Sequence, residues 1–221
     1  MKRPVIIAID GPGASGKGTL ARRLAAHFGY AYLDTGAMYR AVALQLLRGG
    51  ADPSDPAAAL DAALNLDTAL LNDPELRTDP VGDAASRIAA YEDVRQALMV
   101  FQRGFATNPP ENAAGAVLDG RDIGTVICPE APVKLFVTAS QAARAHRRYL
   151  ELAARGEAAD EAAVLAELQV RDTRDQTRSA APLRPAPDAH RLDTTDMAID
   201  DAFAAALAVV AAKISQPGSP G

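Results

Sequence analysis

Cysteine is nearly absent. The one example among 221 residues, Cys128, rules out an internal disulfide and a cysteine-rich zinc site, and fits a reducing compartment. Its plainest reading is a small buried apolar residue after a strand. The three histidines, His27, His146 and His190, lack any metal-ligand spacing, so no metal site is expected of them. No apolar run approaches the roughly 20 residues that a membrane-spanning helix requires, and Met1-Lys2-Arg3-Pro4 leads directly into a strand-like run. A cytoplasmic protein with no membrane partner is therefore expected. Basic excess is missing too. Net charge is −5, from 23 Lys and Arg against 28 Asp and Glu, whereas a general nucleic-acid-binding surface needs the reverse.

What is present suits one medium-sized globular domain, with 48% hydrophobic and 23% charged residues. Val5-Ile6-Ile7-Ala8-Ile9 is an unbroken apolar run bounded by Asp10-Gly11-Pro12-Gly13, as expected of a strand buried on both faces of a parallel sheet. From Lys17 to Phe28 the spacing of Leu20, Leu24 and Phe28 predicts a helix, with Gly29 at its C-cap. Ala31-Tyr32-Leu33 predicts a second strand, and a helix follows from about Ala37 to Leu47. Three later strands are expected at Ala116 to Leu118, Val133 to Val137 and Ala189 to Leu192. Helical patterns separate them, at about Val81 to Phe105, Ser140 to Ala154 and Glu161 to Arg178, with another at Ala202 to Ile214. Alternation of this kind predicts an α/β fold with a mostly parallel sheet, whose ligands bind at the carboxyl ends of the strands. Gly49 to about Thr78 reads as a small insertion, Gln176 to Asp188 as a mobile proline-bearing loop, and residues 217–221 as a disordered tail.

Gly11-Pro12-Gly13-Ala14-Ser15-Gly16-Lys17 places a glycine, four residues and Gly-Lys directly between a predicted strand and a predicted helix. In that context the pattern is a phosphate-binding loop: backbone N–H groups and the positive helix end meet phosphate oxygens, and Lys17 reaches the outer phosphates. The residue after Lys17 is Gly18, and the hydroxyl residue Thr19 comes one place later. Direct ligation of Mg²⁺ from the usual hydroxyl position is thus not expected, and the ion would be carried by the nucleotide and water.

Arg171, Arg174 and Arg178, with Asp175, share one face of a predicted helix, and Arg147 and Arg148 lie on the preceding one. A solvated charged helix is the bland explanation. Beside a phosphate loop, a hairpin able to close cations over a transferred phosphoryl group is the stronger one.

Two polar clusters fall where strands should end, Asp34-Thr35-Gly36-Ala37-Met38-Tyr39-Arg40 and Asp119-Gly120-Arg121-Asp122-Ile123-Gly124-Thr125. Together with the phosphate loop, Ala85-Ser86, Val94-Arg95-Gln96-Ala97-Leu98 and the run from Arg171 to Arg178, they closely resemble the bacterial cytidylate kinases, in order from about Val5 to Ile214. The resemblance implies a phosphate-loop nucleoside-triphosphatase type of fold: a parallel five-stranded sheet flanked by helices, with a small monophosphate-binding insert (about 49–85) and a helical lid (about 147–180) in one domain of residues 1–216. It implies ATP bound by Gly11, Pro12, Gly13, Ala14, Ser15, Gly16, Lys17, Gly18 and Thr19. The acceptor phosphate would be gripped by Arg40, Arg121 and Arg178 with Tyr39 and Thr35 beside it. Ser86, Arg95 and Asp122 would read the base, Arg171 and Asp175 would contact the sugar, and Arg147, Arg148 and Arg174 would serve the transferred group. The partners implied are ATP, CMP and dCMP, and a monomer is expected. Between Leu66 and Ser86 this sequence is shorter than the strand-rich insert such kinases generally carry, and Thr35 stands where serine is frequent.

Cytosine offers acceptors at N3 and O2 and a donor at N4, which complements an arginine and a carboxylate; uracil reverses two of these. Preference for CMP and dCMP over UMP is expected. Two other readings remain open on the motifs: a small kinase for AMP, UMP or shikimate, and a nucleotide-dependent switch. An Asn-Lys-x-Asp guanine-reading motif is missing from the sequence, and an arginine-bearing lid has no task in a switch.

Overall fold

The protein is described over residues 3–215 by a computed structural model; the tail expected to be disordered lies outside those residues. Strand β1 (Val5–Asp10) runs through the middle of a five-stranded, all-parallel sheet with β2 (Ala31–Asp34), β3 (Gly115–Gly120), β4 (Val133–Thr138) and β5 (His190–Asp193), in the order β2-β3-β1-β4-β5. The order explains why β1 and β3 are almost entirely apolar until their last residues. Neighbours flank them on both edges and helices cover both faces, so water reaches them only at the strand ends.

Side chains alternate between two cores. Ala8, Ala116 and Leu118 join one with helices α2 (Thr35–Arg48), α3 (Pro56–Leu64), α4 (Asp79–Ile88) and α5 (Glu92–Thr107), while Ile7, Ile9 and Val117 join the other with α1 (Lys17–Phe28) and α8 (Ile199–Ser215). Helices α6 (Gln141–Ala154) and α7 (Glu161–Thr177) form a hairpin between β4 and β5. They enclose a third, separate cluster of Ala145, Leu152, Val164 and Leu168.

The helix expected at Val81 to Phe105 is two helices. The chain turns at Ala89–Tyr91, where Tyr91 takes extended backbone angles (φ −81°, ψ 122°), because α4 packs on α2 while α5 packs on α3 and β3. Between Gly49 and Thr78 lie α3 and two short 3₁₀ turns, with no strand. The helix expected from Ala37 begins at Thr35, since the Asp34 carboxylate caps it by accepting from Ala37 N at 3.0 Å. Cys128 is buried, but it follows a π-helical turn (Ile123–Ile127) rather than a strand. Nor does Gln176 to Asp188 hang free. Leu183 and Ala186 are buried, Leu183 N donates to Asp175 O at 2.8 Å, and Asp188 pairs with Lys134 at 2.9 Å. The three prolines in this stretch accompany a compact, tethered crossing.

Candidate active site

Every motif singled out in the sequence except those on α4 to α7 sits at the carboxyl edge of the sheet. The loop from Gly11 to Gly16 leaves β1 and enters α1 through Gly16, whose left-handed backbone (φ 85°) provides no side-chain cap. The first N–H groups of α1 are therefore left to an anion. A Cβ at Gly11 would stand 2.0 Å from the Val137 carbonyl oxygen, so only glycine allows β1 and β4 to converge there. Lys17 Nζ curls back over the loop to donate to Pro12 O at 3.3 Å. Burial, reinforced by Arg121, pushes its ammonium down to about 7. Ser15 Oγ is buried in the loop without a partner, whereas Thr19 is exposed on α1.

The place of Gly18 has a steric reason. A Cβ there would lie 3.0 Å from Asp119 Oδ2, so the position one after Lys17 is left without a side chain because a carboxylate from β3 presses on it. Asp119 and Asp34 end neighbouring strands in register. Burial, then the proximity of Asp34, pushes the Asp119 carboxyl up to about 6.

Beyond β3 the site becomes a chamber of guanidinium groups. Arg121 donates from Nε to Asp175 Oδ2 at 2.8 Å, and Arg95 pairs with Asp122. Arg178 Nη2 stands 3.9 Å from Asp122 Oδ1 with no hydrogen-bond partner, and Arg171 Nε is likewise buried and unpartnered. Burial, then the neighbouring Arg121, pushes Arg171 down to about 10. Four guanidiniums (Arg95, Arg121, Arg171, Arg178) thus share two carboxylates (Asp122, Asp175), a surplus of positive charge away from water that an anion would relieve. Ser86 Oγ on α4 is buried without a partner, and the Arg95 guanidinium lies 5.8 Å from the centroid of the Tyr39 ring. Thr35 Oγ1 donates to Asp119 O at 2.7 Å, which ties the start of α2 to the end of β3. Arg40 is engaged by Asp34 at 2.7 Å.

Of the remaining cations expected at the site, Arg147 lies beside the phosphate loop, its Nη1 4.0 Å from where a Cβ on Gly16 would stand, while Arg148 and Arg174 lie away from it. Arg147 turns to Thr194, meeting its Oγ1 at 3.0 Å and its carbonyl. Arg148 reaches Asp79 at 2.5 Å, and Arg174 reaches Asp83 at 3.1 Å, so both bridge the α6–α7 hairpin to α4. Sequence reasoning missed Arg144, which is buried, grips Asp172 with both terminal nitrogens and donates to Gly13 O at 3.2 Å. It ties both helices of the hairpin to the phosphate loop. Its spacing three and four residues before Arg147 and Arg148 was the available signal. Thr194, which also donates to Ser15 O at 3.1 Å, follows the end of β5, where the strand-end rule points.

A phosphate loop at the end of the central strand, facing a buried arginine chamber one strand away, defines a phosphate-loop kinase: one anion is held by main-chain N–H groups and a second by guanidiniums. The family model described as cytidylate kinase matches residues 7–212. The cytidylate kinase of Rhodopseudomonas palustris (strain HaA2) is 60% identical over 208 residues, covering 94% of this chain and 96% of that one. The cytidylate kinase of Rhodospirillum rubrum is 57% identical over 209 residues, 95% of this chain and 98% of its own. The chain belongs to the cytidylate kinase family. In fold it resembles the solved structure of an uncharacterized protein from Eubacterium ventriosum, with a TM-score of 0.52, 16% identity, and coverage of 96% of this chain and 99% of that one.

Proposed function

We propose that the protein transfers the γ-phosphoryl group of ATP to CMP or dCMP, giving ADP and CDP or dCDP. The observation that carries this reading is the pair of unpartnered buried guanidinium nitrogens on Arg171 and Arg178, at the end of a helix that Arg144 ties to an uncapped phosphate loop. Burying a donor with no acceptor is costly, so such groups mark where a ligand's oxygens complete the site.

On this reading ATP lies along residues Gly11 to Thr19, with Lys17 leaving Pro12 O for the outer phosphates. The acceptor's phosphate takes up the surplus charge of Arg121 and Arg178, with Arg40, Tyr39 and Thr35 beside it. One of its oxygens attacks the γ-phosphorus in line while the β–γ bridging oxygen leaves with ADP. The acceptor phosphate is already ionised near neutral pH, so the protein's work is positioning and charge stabilisation, with no base required. Asp122 keeps Oδ1 clear of Arg95 and can accept from the cytosine N4 amino group, Ser86 stands ready beside it, and Arg95 offers donors for O2 and N3. Arg171 and Asp175 fall to the sugar. Arg147, Arg148 and Arg174 serve the transferred group after the α6–α7 hairpin, acting as a lid, rearranges.

Magnesium fits the donor set as a water-held ion. Among the described residues no cluster of three or more His, Cys, Asp or Glu side chains could hold a metal, but the Asp34 and Asp119 carboxylates at adjoining strand ends would orient its water shell. When bound it neutralises triphosphate charge. Among the described residues no helix is long and apolar enough to cross a membrane, and a monomeric cytoplasmic enzyme drawing on free nucleotides is the setting we propose.

The test is ADP release measured with CMP, dCMP, UMP and AMP in turn. CMP and dCMP should be used with far greater kcat/KM than UMP or AMP, because a mismatched base leaves Arg95 or Asp122 without its partner. Equal efficiency with UMP would overturn the base assignment.

A further inference from the structure

Asp10 ends β1 immediately before the phosphate loop and is buried to 3% exposure. Among the described residues no lysine or arginine forms a salt bridge with it. Its two oxygens are divided between successive backbone groups instead: Oδ1 accepts from Ile123 N at 2.7 Å and Oδ2 from Gly124 N at 2.8 Å. Those N–H groups open the π-helical turn that directly follows Arg121 and Asp122.

Asp122 occupies the N-cap position of that turn, where an aspartate ordinarily spends its side chain accepting from the turn's first N–H groups. Here it makes no such bond. Its main-chain carbonyl accepts from Val126 N at 2.9 Å and Ile127 N at 3.2 Å, which fixes its backbone, while its carboxylate turns away to Arg95 and lies within 3.9 Å of Arg178. The capping task has been taken over from another strand. We propose that Asp10 is a positioning residue for the acceptor nucleotide, capping the Ile123–Ile127 turn from β1 and so freeing the Asp122 carboxylate to face the base. This rests on the reading of Asp122 as a base-contacting group.

The chemistry of the site supports a role beyond filling space. Burial pushes the Asp10 carboxyl up to about 7, against the pull of its two backbone donors and with Asp122 as a like-charged neighbour. A carboxylate kept in so unfavourable a place supplies what no neutral side chain of its size offers, two acceptor oxygens set for two adjacent N–H groups. Asp10 also adjoins Gly11, so one residue joins the donor-phosphate loop to the acceptor-reading turn.

Replacing Asp10→Asn keeps the volume but turns an amide N–H₂ toward one of the two N–H groups, and Asp122 can then fold back to cap its own turn. The KM for CMP should rise about tenfold or more, as expected when a reading group is displaced by about an ångström, while the KM for ATP stays within about twofold. The preference for CMP over UMP should shrink. Val210→Ala, on the buried face of α8, serves as a destabilised control in which neither KM moves. Unchanged KM for CMP in a folded Asp10→Asn enzyme, or equal rises in both KM values, overturns the proposal. If Asp10→Asn does not fold, Asp10→Ser, which keeps one acceptor, is measured in the same way; failure of both to fold means the carboxylate holds the fold, and the proposal is wrong. Asp122→Asn separates the two layers. Loss of CMP preference in Asp122→Asn but not in the Asp10 variant sinks only the positioning role, whereas an unaltered Asp122→Asn enzyme sinks the base reading and the proposal with it.

Discussion

The protein holds its arginines in two different ways. In the chamber, Arg95 and Arg121 are paired with buried Asp122 and Asp175, while Arg171 and Arg178 keep buried nitrogens with no hydrogen-bond partner. Arg148 and Arg174, on the rim between the α6–α7 hairpin and α4, pair with Asp79 and Asp83, whose side chains are about half exposed (49% and 47%). A buried pair that loses one partner strands a charge in a poor solvent, whereas a rim pair exchanges its partner for water at little cost. The chamber is therefore a fixed mould, and the rim is a set of contacts that can be released.

The largest way to sharpen that contrast lies at a cation with no dedicated carboxylate partner. Lys17→Met should lower kcat by about 10²–10³-fold or more, with circular dichroism and melting temperature near those of the parent. Substantial turnover in that variant would show that the loop does not carry the donor phosphates. Next, Arg121→Met removes the guanidinium that hydrogen-bonds buried Asp175. A loss of about 3–5 kcal/mol in urea unfolding is expected, together with weaker CMP binding; a loss under 1 kcal/mol would dissolve the distinction between mould and rim.

A third test uses protons. Burial pushes Lys17 down to about 7, so in the free enzyme at pH 8 it is mostly neutral, and an arriving triphosphate raises its affinity for a proton. ATP binding at pH 8 should therefore take up a proton, read as a buffer-dependent calorimetric enthalpy, and weaken as pH rises through 7. The uptake should vanish in Lys17→Met. The smallest effect is expected at the rim: Asp83→Asn should change stability by no more than about 1 kcal/mol, less at high salt. A change as large as that of Arg121→Met would make the rim part of the mould.

The same contrast marks what could be read from the sequence. Strands were legible where apolar runs meet glycine or aspartate, and all five were found, though β3 is longer than its central Ala-Val-Leu because Asp119 and Gly120 continue the ladder. The break at Ala89–Tyr91 was hidden, since neither glycine nor proline marks it and two packing directions cause it. The phosphate loop was legible because its chemistry is local, a strand, glycines and a lysine in one stretch. Arg144 and Asp10 were not, because their partners lie far along the chain: Gly13 and Asp172 for one, Ile123 and Gly124 for the other. Periodicity speaks of neighbours along an element and is silent on which carbonyl or N–H the fold will bring to a buried side chain.

The hairpin of α6 and α7 encloses its own apolar cluster, apart from the two that line the sheet. A part with its own greasy filling can swing as one piece without wetting anyone else's. Any such swing must also work against buried polar ties, Arg144 to Gly13 and Arg121 to Asp175, so the exposed threads from Arg148 to Asp79 and from Arg174 to Asp83 are the first and cheapest to give way, and dissolved ions loosen only those.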